Sequence, residues 1–183
     1  MEVAQTERRA DLLSFVFAGL QAGMLGTFWM LALVGTGASW QRSSFWTPEN
    51  LLASTFYGPG AIKSGFSGST LSGLALYLLI YSSLGCLFAA AFRSRLPRPA
   101  LLLAGVLCSV AWYYLSFHGF WRILNPPVAL LHAERPVILG HILYGAILAR
   151  FPKYLGLASA PETELSGQAF ESEAVVAESE EPH

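Results

Sequence analysis

Few residues in this sequence bring polar chemistry into its long apolar runs. His141 lies in GHILYG, Tyr77 and Tyr81 lie in ALYLLIYSS, and Tyr114 and His118 lie in AWYYLSFHGF. Imidazole and phenol groups suit a quinone ring, a lipid headgroup or an axial position of haem. A polar group left unpaired in hydrocarbon is costly, so each must find a ligand or a partner. Counting helical rise from the expected helix ends puts His141 and Tyr77 roughly 7 to 9 Å below the outer boundary of a bilayer. Tyr114 reaches a similar level from the inside, and His118 lies somewhat above it. The candidate ligand-binding layer is therefore His141, Tyr77, Tyr114 and His118, in the outer half of a helical bundle. The same residues admit a structural reading. A neutral His141 hydrogen-bonded to a tyrosine or a backbone carbonyl would stitch helices together, and satisfied histidines in bundles outnumber ligands. Haem would need His118 and His141 to face each other, and no CxxCH or second histidine pair accompanies them.

Other chemistry is thinly represented. His132, Glu134 and Arg135 stand together, but one imidazole and one carboxylate make an incomplete metal set, and a contact between Arg135 and Glu134 or a lipid phosphate is the simpler expectation. Cys86 and Cys108 lie apart in apolar runs without CxxC spacing and read as packing residues. There is no GxSxG, HExxH or GxxxxGK[ST], and no pair of carboxylates at membrane depth. The first three apolar runs hold no charge of the kind that couples transport. The expectation is a non-enzymatic protein with no cofactor and no metal site.

The elements that position these residues follow from hydropathy. Hydrophobic residues make up 54% of the chain and charged residues 13%, about half the charged share of a soluble domain, so lipid must supply the missing solvent. Leu12 to Val34 carries no charge and is too long for a cleaved signal core. Leu71 to Phe92 and a run from Pro99 to Phe120 form a hairpin around RSRLPRP. The fourth run is interrupted by Glu134, Arg135 and Pro136, which predicts a short surface segment over 127–133 and then a helix over 135–151. The fold class is all-α: a polytopic bundle of four transmembrane helices at about 12–34, 71–92, 99–120 and 135–151. In the first external loop, Thr47-Pro48-Glu49-Asn50 signals a helix start, and Trp40, Trp46, Phe56 and Tyr57 nearby suggest a short interfacial helix.

Charge sets the orientation. Arg8, Arg9, Arg93, Arg95, Arg98, Arg150 and Lys153 fall on one side of such a bundle, against Arg42, Lys63, Arg122 and Arg135 on the other. The excess favours both termini in the cytoplasm, with residues 1–11 and 158–183 outside the 12–157 bundle. Seven of the twelve acids lie between Glu162 and Glu181, a stretch with no base, which reads as a disordered acidic tail.

Gly19 with Gly23, Ala22 with Gly26, Gly85 with Ala89 and Gly145 with Ala149 share a four-residue spacing that lets helix backbones approach. Tyr81, Gly85 and Ala89 also line up with His141, Gly145 and Ala149, a faint internal repeat. The segments NLLASTFYG at 50–58 and GHILYG at 140–145, set among four hydrophobic runs, resemble a loose group of small bacterial four-helix membrane proteins over about residues 12–155. That resemblance implies four helices and carries no activity. The expected role is a structural or accessory protein of a bacterial inner membrane, whose partners are the lipid bilayer and itself or a larger membrane complex, not nucleic acid. The alternative is a binder of a quinone, lipid or haem in the outer half of the bundle.

Overall fold

The structure is a computed structural model that describes residues 2–92 and 96–158. The acidic tail expected from its composition lies outside the described residues apart from Ala158, as do Arg93 and Arg95 of the turn. Every regular element among the described residues is helical: α1 (Glu2–Trp40), α2 (Thr47–Tyr57), a 3-10 turn (Pro59–Lys63), α3 (Gly68–Phe92), α4 (Arg98–Tyr114), a π-helical turn (Leu115–Phe120), α5 (Trp121–Leu124), α6 (Pro126–Leu131), α7 (Glu134–Leu148) and α8 (Pro152–Ala158).

Prolines and glycines explain the breaks. Pro48 and Pro99 occupy first turns, where the missing N–H has no intrahelical acceptor to lose. Pro136 is the third residue of α7, so it also falls before intrahelical bonding begins and the helix passes through it unbroken. At the end of α2, Gly58 has φ of 73°, a left-handed conformation that a side chain would oppose. The run expected to end near residue 120 instead continues through the π-helical turn to Leu124.

Three helical stretches are long and apolar enough to cross a membrane: Leu12–Trp40, Gly68–Phe92 and Arg98–Leu124. α7, with 15 residues, is shorter. These four run antiparallel in sequence order. Close approaches of Gly19 to Gly85 and of Gly23 to Ser82 join α1 to α3, and Gly26 against Tyr144 and Met30 against Gly140 join α1 to α7. Gly105 meets Gly145 between α4 and α7. Although α3 and α4 are consecutive, α3 docks chiefly on α1, and α4 on α7.

The glycine contacts are tight enough to exclude side chains. A Cβ on Gly85 would collide with the carbonyl oxygen of Gly19 and lie 2.9 Å from the Cα of Gly23, and one on Gly145 would strike the Gly105 carbonyl and come within 2.8 Å of the Cα of Val106. Backbones this close gain dispersion contacts that lipid chains cannot match. The two pairs are built alike. Gly19 faces Gly85 and Ala89 as Gly105 faces Gly145 and Ala149, and Gly23 lies beside the Tyr81 carbonyl as Ser109 lies beside that of His141.

The bundle interior is aromatic and polar, with Tyr113, Tyr144, Phe151 and His141 among its fully buried side chains. Its exterior carries Leu13, Phe28, Trp29, Leu79 and Leu103, each at least half exposed. An apolar outside around a partly polar inside inverts the pattern a water-soluble bundle needs.

Candidate functional site

His141 sits in the middle of α7 with only 1% of its surface exposed. Its Nδ1 lies 2.7 Å from the Val137 carbonyl. A carbonyl can only accept, so Nδ1 carries the proton and Nε2, in the neutral ring, is an acceptor. The Tyr81 hydroxyl on α3 donates to Nε2 at 2.8 Å. Both ring nitrogens are thereby used.

The neighbouring groups extend the junction. The Tyr144 hydroxyl donates to the Tyr81 carbonyl at 2.6 Å, a second link between α7 and α3. On α4, the Ser109 hydroxyl donates to the His141 carbonyl at 2.7 Å. Tyr113 turns its ring edge toward the imidazole, with centroids 5.3 Å apart, and its own hydroxyl reaches His132 Nε2 at 3.1 Å. His132 repeats the arrangement of His141, with Nδ1 donating to the Ala129 carbonyl at 2.7 Å. Burial pushes the His132 pKa down, in keeping with a neutral ring that accepts from tyrosine.

Of the four residues that sequence places in one ligand layer, Tyr77 shares the buried interior with His141 and reaches it through Tyr81. Tyr77 is buried and stacks on Tyr81 with centroids 5.8 Å apart. Tyr114 and His118 border the cluster from outside, each edge-on to Tyr113 with centroids 5.1 and 5.9 Å away. They stack on each other at 5.5 Å on the outer surface of their helix, with Tyr114 52% exposed. Helical phase separates them from His141: Tyr113, Ser116 and Phe117 take the inward face, and Tyr114 and His118 point away from it. A haem ligated by both histidines does not fit, because Nε2 of His141 is engaged by Tyr81 and His118 faces outward.

Space near the layer is limited. A cavity of about 130 Å³ lies between α1, α2, α6 and α7, with Tyr77, Phe117 and His132 in its wall. That volume is below the roughly 300–1,000 Å³ typical of small-molecule sites. Among the described residues, no three of His, Cys, Asp and Glu gather at a spacing that could hold a metal ion.

Sequence reasoning passed over one buried acid. Glu49, read in the sequence only as part of a helix-start signal, is 2% exposed, and its Oε2 has no hydrogen-bond partner. α2 folds down against α3 until the Glu49 carbonyl occupies the place a side chain on Gly73 would need. Burial raises the Glu49 pKa to about 7. Its neighbour Asn50 anchors the loop, donating to the carbonyls of Ser64 and Gly65 and accepting from Thr70 Oγ1 at 2.7 Å. Asn125 donates to Ser54 Oγ and Thr55 Oγ1, each at 3.0 Å, and ties α2 to the segment before α6. The signal that could have revealed this is Gly73, a glycine near the start of the second apolar run.

Compared with protein-family models, curated proteins and solved structures, the chain matches none.

Proposed function

We propose that this chain is a multi-pass membrane protein of structural or accessory type, without enzymatic activity, that packs with itself or with a larger complex in a bacterial inner membrane. In this reading α1, α3, the run from α4 to α5, and α7 are four spans, α2 lies in the outer interface, and both termini are cytoplasmic. One observation carries it: His141, buried in the middle of the bundle, has both ring nitrogens bonded within it. A layer that spends its hydrogen bonds on joining α3, α4 and α7 serves architecture.

α7 supports a fourth span despite its length. Fifteen residues rise about 22 Å, short of a hydrocarbon core of about 30 Å. Arg150 and Lys153, both exposed just beyond its end, have stems long enough to reach the headgroups. The cation excess at the end holding Arg98, Arg150 and Lys153 supports a cytoplasmic position for that end.

Two measurements test the reading. A fluorescent protein fused after residue 183 should fluoresce, and alkaline phosphatase inserted near residue 60 should be active. The protein purified in detergent should lack a Soret band and extractable quinone. A stoichiometric chromophore or quinone lost on His141→Ala would replace this reading with the ligand-binding one.

A further inference from the structure

A second concavity lies at the other end of the bundle from the histidines. It is a groove of about 840 Å³ between α1 and α4, with α7 as its floor. Leu25 and Trp29 of α1 form one wall and Leu101 and Leu102 of α4 the other. Leu143, Ala146, Ile147 and Arg150 follow one another along the floor at helical spacing, from apolar to charged over about 10 Å. At the mouth stand Arg98, Arg150 and Lys153, all exposed. The two acids whose side chains are described, Glu49 and Glu134, are at the opposite end of the bundle. Among the described side chains, three cations therefore converge on an apolar trough with no carboxylate to neutralise them.

We propose that this groove is a binding site for an anionic phospholipid, with the phosphate held by Arg98, Arg150 and Lys153 and an acyl chain lying along Leu143, Ala146 and Ile147. The volume falls within the range of small-molecule sites, about 300–1,000 Å³. Guanidinium groups match a phosphate in charge and in fork geometry, and the aliphatic walls match a chain in polarity. Basic pockets between helices on the cytoplasmic side are the usual seat of such headgroups. The amino terminus of α4, which has no side-chain cap, adds its partial positive charge beside Arg98. The chain's own acidic tail would satisfy the cations but not the trough, since its large apolar residues are only Leu165, Phe170, Val175 and Val176. The inference rests on the membrane placement proposed above. Reporter fusions test that placement separately, and lipid preference in detergent is independent of which way the chain faces.

The test uses the full-length chain in a neutral maltoside detergent with equal amounts of dioleoyl phosphatidylglycerol and dioleoyl phosphatidylcholine, bound lipid being counted by native mass spectrometry. Phosphatidylglycerol should be retained in preference on the order of tenfold to a hundredfold, since each cation near a headgroup adds about a factor of five. The triple variant R98Q/R150Q/K153Q should lose the preference, and Ala146→Trp, which fills the floor and keeps the cations, should lose it too. The control R42Q/K63Q/R122Q, at the opposite end, should keep it, and millimolar glycerol 3-phosphate should not displace the lipid. The proposal is overturned by a wild-type chain without preference, or by a preference that survives either groove variant. It is equally overturned if glycerol 3-phosphate competes, which would mean a soluble phosphate ester suffices. Binding that emerges only when the chain is cut after residue 160 would place the acidic tail in the groove and overturn it as well.

Discussion

Replacing Glu49 by Gln should stabilise the protein at alkaline pH and leave it unchanged in acid. The carboxyl is 2% exposed, lacks a partner for Oε2, and has its pKa raised by burial from 4.5 to about 7. Between those values the folded chain keeps a proton that the unfolded chain has released, so this group's contribution to stability falls as pH rises through the window and stays low above it. At 1.36 kcal/mol per pH unit the full effect is about 3 kcal/mol at pH 8. His132 acts in the opposite sense, because burial lowers its pKa and its contribution is lost as pH falls. Its effect cancels when wild type and variant are compared at each pH. Thermal unfolding in detergent, followed by circular dichroism from pH 4 to pH 8.5, should show Tm values that coincide at pH 4 and diverge by on the order of 5–10 °C at pH 8.5, the variant being higher. Parallel curves across the range would refute the burial argument for Glu49.

The helix contacts and the loop anchor give further expectations. Gly85→Ala and Gly145→Ala each force apart backbones already in contact, and each should cost about 1–3 kcal/mol in the same unfolding assay. Gly68→Ala, with nothing within 4 Å of the added carbon, should stay within about 0.5 kcal/mol of wild type. Asn50→Ala removes the side-chain bonds to Ser64, Gly65 and Thr70, so trypsin should cut after Lys63 severalfold faster in the variant than in wild type.

How much of this was legible in sequence depended on the kind of signal. Long uncharged runs fixed three apolar helices, because length and hydropathy decide them almost without context. The glycines at 19, 23, 26, 85 and 145 all lie at backbone or ring contacts, a role that four-residue spacing suggests because it marks one helix face. Depth counting set His141, Tyr77, Tyr114 and His118 at similar heights, but rise says nothing of rotational phase, and Tyr114 and His118 are on the exposed side of their helix. Tyr113, one residue away from Tyr114, holds the position that faces His141. Tyr81, the direct partner of His141, was visible as an i, i+4 neighbour of Tyr77 and as the counterpart of His141 in the faint repeat. Glu49 was missed for a different reason. An acid after Thr-Pro reads as a helix start and carries no sign of burial, which only the tertiary fit of α2 against Gly73 produces. The groove was missed because its cations come from two separate sequence regions and were read only as orientation signals.

In the structural reading proposed above, His141 and Tyr81 join α7 to α3 rather than hold a ligand. A double-mutant cycle of Tyr81→Phe and His141→Leu, read by reversible unfolding in detergent, measures that bond directly. The expected coupling energy is about 0.6 kcal/mol, the average for hydrogen bonds between membrane helices, and at most about 1.7 kcal/mol. Additive losses, with no coupling beyond error, would show that the two side chains do not depend on each other and would contradict the account.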